Sequence, residues 1–226
     1  MQYPSVRYHV ECKGKTPLIM KRDSVEWADK IKAWQNDPAN KNLSVPGDDR
    51  TPPWTWLGGL YNDGEKVVMP TECVSACLRK AGAKLKLKGN TTYKSLTQSG
   101  LVFPELDWKL SINGKGEVPI AGLLELMADP LATFTDHANA VRELGFRLFV
   151  KRLPVEGKKH IRVRPRFDDW MIEGDVHVMV PREITKAVLQ ELFEIAGFYV
   201  GLCEWRPSAP KTPGPYGRFE AKVVKL

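Results

Sequence analysis

The chain has 226 residues, of which 42% are hydrophobic, and a net charge of +7 at pH 7. That apolar share supports a packed core and excludes global disorder, and no apolar run is long enough to span a bilayer as a helix. The four cysteines (Cys12, Cys73, Cys77, Cys203) lack disulfide-framework spacing and Met1–Pro4 lacks the layout of a signal peptide, so a reduced, cytoplasmic protein is expected.

In chain order, Ser5–Cys12 alternates and is rich in β-formers, which predicts a strand. Trp27 and Trp34, seven apart, suit one face of a short helix around Ser24–Trp34. The proline-bearing stretch Asn36–Pro53 reads as a surface loop. Trp54–Tyr61 and Glu65–Met69 flank Asn62-Asp63-Gly64, a hairpin signal. Pro70 opens a helix to about Ala81, with Gly82 as its stop. Gly89–Gly145 reads as an insertion with helices at Ile120–Met127 and around Asp136–Leu144. Phe146–Leu153 and Lys159–Phe167 read as paired strands, and Asp175–Val180 as another. In Pro181–Ala196, Ile184, Val188, Leu192 and Ile195 line one stripe of a helix that Gly197 ends; Phe219–Leu226 is a last strand. A weak internal echo, strand then Pro-x-Glu then helix then Ala-Gly, joins Val67–Gly82 to Val178–Gly197. The whole predicts one α+β domain over residues 1–226, a ferredoxin-like, RRM-like βαββαβ core with insertions at about 21–60 and 89–145.

Positive charge is concentrated. Arg147–Arg166 holds Arg147, Lys151, Arg152, Lys158, Lys159, Arg162, Arg164 and Arg166 against one acid, Glu156. With a period of two, Arg162, Arg164 and Arg166 share one strand face at steps of about 6.6 Å, and Ile161, Val163 and Phe167 take the other. Three like charges in a row call for a negative partner, and guanidinium forks suit phosphate oxygens. The plainer alternative is a solvated edge strand whose charges discourage aggregation. A second block, Arg79–Lys94, includes Arg79, Lys84, Lys86 and Lys88 with no acid; solvated lysines explain it as well as a field-forming patch does. In the Gly/Pro loop Gly201–Arg218, Trp205 and Tyr216 could stack on bases, and Arg206, Lys211 and Arg218 could meet phosphates. The loop reads as a stiff flap hinged near Gly201 and Gly217, and Trp205 either stacks on a base or anchors the flap to the core.

Catalytic patterns are poor. His9, His137, His160 and His177 have no metal spacing, Cys73 and Cys77 are one helical turn apart without a second ligand pair, and no phosphate-loop fingerprint occurs. No metal, cofactor or catalytic residue is therefore expected.

The segments Ala196-Gly197, Gly201, Trp205-Arg206-Pro207 and Gly217-Arg218-Phe219, with Thr16-Pro17-Leu18-Ile19-Met20 and Val163-Arg164-Pro165-Arg166-Phe167, carry a resemblance. Together with the order of elements, they resemble the RAMP superfamily, the RNA-binding backbone and processing proteins of CRISPR effector complexes, and small proteins of that type carried by phages and prophages. Prolines stand here for several of that family's loop glycines. The resemblance implies a protein that lies along a single strand, RNA favoured, repeats side by side and contacts the backbone. Two other functions stay open. One is a protein-interaction or inhibitor module acting on a host nucleoprotein complex through Trp27, Trp34, Trp54 and Trp56. The other is a metal-independent endoribonuclease using His160 or Tyr216.

Overall fold

The computed structural model describes residues 5–41, 52–112, 115–129, 131–155 and 158–226, with side chains left out for 152–155 and 158–161. Most of the expected loop Asn36–Pro53 lies outside the described residues. The fold is α+β. Its main sheet contains β1 (Val6–Gly14), β3 (Val68–Pro70), β7 (Asp107–Ile112), β11 (Trp170–Val178) and β12 (Phe219–Lys225), in the order β12-β1-β11-β7-β3. Two short strands extend it: β6 (Leu101–Val102) pairs with β11, and β8 (Gly116–Glu117) with β7. These pairings are antiparallel.

Alternation decides which side is core. Tyr8, Val10 and Cys12 on β1 and Trp170, Ile172, Val176 and Val178 on β11 are buried, while His9, Glu11, Glu173, Asp175 and His177 between them are only half-buried. The buried side meets α2 (Thr71–Gly82) and α6 (Lys186–Ile195) through Val74, Leu78, Leu189, Leu192 and Phe193. Phe193 stacks on Trp108 with ring centroids 6.3 Å apart, and Gly174 leaves room for that indole, which a Cβ would strike.

A second sheet, β2-β10-β9, comprises β2 (Leu18–Ile19), β9 (Arg147–Val155) and β10 (Lys158–Phe167). A separate ribbon pairs β4 (Lys86–Lys88) with β5 (Thr91–Thr92). The remaining helices are α1 (Val25–Asn36), α3 (Lys94–Ser99), α4 (Ala121–Ala128) and α5 (Phe134–Glu143). Thr133 and Asp136 form a reciprocal capping box at the start of α5.

Three elements differ from their sequence reading, the last of them at both ends. Trp54–Tyr61 is not a strand; Pro53–Gly59 forms a 3₁₀ turn, opened by Pro52 and Pro53, with Trp27 resting against Gly58. The Asn62–Gly64 turn does form, held by Asp63 Oδ1, which accepts from the amides of Glu65 and Lys66 at 2.9 Å each. The stretch 89–145 is not wholly an insertion, because β7 is an interior strand of the main sheet. Its alternation Trp108, Leu110, Ile112 fits that place. The last helix starts at Lys186, where Thr185 accepts from the Val188 amide, and not at Pro181. Gly197 does not end it either: the chain runs on through a π turn, Ala196–Val200, to Gly201 at φ +73°.

One buried polar contact ties α5 to the core. His137 is fully buried, and its Nδ1 accepts from Trp56 Nε1 at 3.3 Å. Burial pushes this imidazole below its ordinary value of 6.5. The unfolded chain therefore takes up a proton that the folded chain refuses, and stability is lost as pH falls below about 6.5. Urea denaturation between about pH 7 and pH 5 is expected to show that loss, and His137→Asn to lose part of the slope.

Candidate nucleic-acid interface

The basic hairpin is governed by its register. β10 sets Arg162 opposite Lys151, Arg164 opposite Phe149 and Arg166 opposite Arg147. Opposed residues share a face, and like charges directly opposite destabilise a strand pair. The chain supplies its own counter-charges. Asp168 pairs with both Arg147 and Arg166, accepting from Arg166 Nε at 2.7 Å. Glu204 pairs with Arg164. Burial, with Arg162 beside it, lowers the pKa of the Arg164 guanidinium, which stays charged at neutral pH. On the other face Phe167 is buried and stacks on Phe146 with centroids 4.9 Å apart, and Val163 is half-buried.

Glu204 and Trp205 come from the loop 201–218, which docks on the arginine face. The Trp205 ring is 5.4 Å from Phe149 and 6.4 Å from Tyr216, centroid to centroid. Lys151 Nζ and Arg164 Cζ lie over it at 4.5 and 4.7 Å. With the residue only 8% exposed, Trp205 anchors the loop, and a base could stack on it only after these cations moved. The backbone is pinned as well. Glu204 N donates to Ile19 O at 3.0 Å, Gly217 N to Pro17 O at 2.9 Å and Leu202 N to Gly217 O at 2.9 Å. A Cβ on Gly217 would run into the Leu202 carbonyl. The expected hinge points, Gly201 and Gly217, are thus fixed contacts. Cys203 and Trp205 also occupy the left-handed region, at φ +59° and +47°. Each costs about 1–3 kcal/mol there, which the packing around Trp205 must offset.

The other expected residues divide. Arg206 turns inward, donating to Cys203 O, and lines a cavity of about 170 Å³ with Tyr61, Cys73, Cys77, Lys80 and Cys203. Burial pushes the Cys77 thiol up to about 12 and raises Cys73 and Cys203, so these sulfurs are protonated at neutral pH. Arg218 donates to the Phe198 carbonyl, its guanidinium 5.1 Å from the Phe198 ring. Tyr216 is half-buried 5.8 Å from Phe149, and Lys211 is exposed. Arg79, Lys84, Lys86 and Lys88 are exposed, but Arg79 is on the last turn of α2, Lys84 follows that helix, and Lys86 and Lys88 stand on the β4–β5 ribbon, which among the described residues joins neither larger sheet. Arg152, Lys158 and Lys159 lie on β9 and β10 near their turn, with side chains outside the described set.

Sequence reasoning missed two features. The first is a groove of about 730 Å³ between α1 and β10, lined by Lys21, Arg22, Trp27, Ile31, Arg162 and Arg164 among others. A hollow of about 580 Å³ shares Arg22 and Asp23 with it, and the cysteine cavity shares Lys21. Trp27, 5.7 Å from Trp54, props α1 over the groove. The pairing of Lys21-Arg22 with Trp27 six residues on was the available signal. The second feature is Phe198 and Tyr199, 60% and 56% exposed on the π turn.

Compared with protein-family models and with curated proteins, the sequence matches none.

The anchoring geometry of Trp205 makes a stability prediction. Trp205→Ala is expected to cost about 3–5 kcal/mol in denaturant unfolding. A loss below about 1 kcal/mol would mean that the ring does not hold the loop.

Proposed function

We propose that this protein binds the backbone of a single-stranded nucleic acid, RNA favoured, along the groove between α1 and the arginine edge of β10. The observation that carries the reading is the lining of that groove, where Lys21, Arg22, Arg162 and Arg164 converge beside Trp27, over whose ring Lys30 lies at 4.8 Å and would have to move for a base to stack. Cations that track phosphates beside a ring that accepts a base are the recurring means of gripping a single strand. The outward face of the main sheet is a poorer path, because Glu11, Glu173 and Asp175 lie at its centre and repel phosphate. Binding across an open sheet, as in RRM domains, is therefore not the mode proposed.

The order of elements supports the same reading. Taken in chain order, β1, α2, β7, β11, α6 and β12 run β-α-β-β-α-β, with the strands arranged β12-β1-β11-β7. On this basis the core is ferredoxin-like, with the second sheet and α1 as additions that build the groove. A RAMP-type protein, laid as repeated subunits along a strand, is the family-level form of the proposal. A second reading, a docking module for a protein partner, draws on exposed Phe198 and Tyr199, since aromatics anchor interfaces.

Titration of labelled single-stranded RNA and DNA at two salt concentrations tests the proposal. Affinity is expected to fall with salt, and Lys21→Ala and Arg22→Ala each to reduce the logarithmic salt slope by about 0.7. The triple change of Arg162, Arg164 and Arg166 to Ala is expected to remove most affinity, with unfolding curves run alongside because Arg164 and Arg166 also hold internal pairs. Binding without a salt slope, or unchanged in all these variants, would overturn the reading. Pull-downs with and without nuclease separate the second reading, since a partner retained after nuclease treatment is bound through protein.

A further inference from the structure

The outward face of the main sheet holds a group that strand binding does not use. β1 and β11 are in register with His9 opposite Asp175 and Glu11 opposite Glu173. All four side chains are half-buried on the side away from the core. Asp175 Oδ1 lies 2.8 Å from His9 Nδ1, and Glu173 Oε2 lies 3.7 Å from His9 Nε2. His9, Glu11 and Glu173 each offer one ligand atom, and these atoms all fall within 4.8 Å of one another.

Glu11 and Glu173 are like charges placed directly opposite on neighbouring strands, an arrangement that destabilises the pair unless a cation stands between them. Lys222 opposes Glu11 from β12 and Lys109 opposes Glu173 from β7, so lysines flank the two acids and His9 lies with them between. Next, an Nδ1–H donated to Asp175 fixes the tautomer and leaves the Nε2 lone pair turned towards Glu173. A carboxylate holding the far nitrogen of an imidazole is the usual support of a metal-ligating histidine. Finally, ligand atoms about 2.0–2.2 Å from a common ion stand roughly 3–4 Å apart; the 3.7 Å between His9 Nε2 and Glu173 Oε2 meets this, and the three atoms, within 4.8 Å of one another, need a small side-chain movement to close on one ion.

We propose that His9 Nε2, Glu11 and Glu173 form a site for a divalent first-row transition ion, with Asp175 orienting the imidazole and water completing the coordination. The imidazole favours such an ion over Mg²⁺ or Ca²⁺, which take oxygen ligands. Nothing in this assignment depends on the nucleic-acid reading. The competing arrangement is a protonated His9 held among carboxylates, with no ion.

Mn²⁺ is the probe, because it avoids the thiols of Cys73, Cys77 and Cys203 that Zn²⁺ would seek. The full chain, stripped with chelator and exchanged into chelator-free buffer, is titrated with Mn²⁺ while the free-ion electron paramagnetic resonance signal is followed. The expected result is one bound ion per chain, with Mg²⁺ at tenfold excess failing to displace it. Glu173→Gln and His9→Ala are expected to abolish binding, and Asp175→Asn, which keeps all three ligands, to weaken it about 10–100-fold. Glu173→Gln relieves a like-charge contact and is not expected to impair folding, which thermal unfolding checks. Failure of the wild-type chain to bind Mn²⁺ at millimolar concentration overturns the site. So does binding that survives both Glu173→Gln and His9→Ala, or that Mg²⁺ displaces at equal concentration.

Discussion

Arg166 faces Arg147, and Arg162 faces Lys151, across the same pair of strands. No hairpin holds such opposed cations without compensation, and much of the surrounding structure supplies it. Asp168, one residue past the end of β10, sits where it meets both Arg147 and Arg166. Glu204 reaches Arg164 from forty residues further along the chain, and Trp205 offers its ring to Lys151 and Arg164. The loop 201–218 is thus better understood as a cover that neutralises part of the arginine face than as a flap over a ligand. The left-handed backbone at Cys203 and Trp205 is tolerated because it aims Glu204 and Trp205 at that face.

This arrangement divides the molecule electrostatically. The second sheet concentrates positive charge, part of it compensated within the chain, and Arg162 and Arg164 border the groove beneath α1. The centre of the main sheet's outward face concentrates carboxylates around a single imidazole. The two sheets therefore differ in the sign of the ligand proposed for each. On that reading a phosphate chain drawn to the groove is turned away from the main sheet, and a cation drawn to the main sheet has no reason to enter the groove. Both patches arise from one device, like charges held opposite one another on adjacent strands, used once with arginine and lysine and once with glutamate.

The sequence disclosed the elements whose pattern is local. The alternation of β1, β10 and β12 and the apolar stripe of α6 each emerge close to where periodicity puts them, and the α+β class follows from them. The 3₁₀ turn at Pro53–Gly59 was hidden because its aromatic residues mimic a strand, while two prolines and the packing of Trp27 on Gly58 decide the outcome. The arginine row was legible as a face of β10; its pairing with Glu204 was not, since Glu204 lies forty residues from Arg164 in sequence. The groove was illegible for the same reason, being assembled from residues near 21–31, 55–59 and 162–164. His9 and Glu173 are farther apart still, and only the β1–β11 register unites them. Spacing rules for metal ligands see short motifs, and this cluster offers only the His9–Glu11 pair, too little to signal a site without Glu173.

The π turn that closes α6 bears on how the chain can vary in length. Gly201 N reaches back to Ala196 O at 2.8 Å, so the turn holds one residue more than an α-turn would. Each helical residue advances the chain by about 100°. Deleting one residue from Ala196–Val200 would restore the α-turn and rotate everything entering the loop by about that angle, carrying Glu204 and Trp205 off the arginine face. Exposed residues such as Lys211, Thr212 and Pro213 carry no such phase. Insertions and deletions should therefore be absorbed on that exposed stretch and excluded from the turn, so that the five-residue length of Ala196–Val200 is itself part of what positions Glu204 and Trp205.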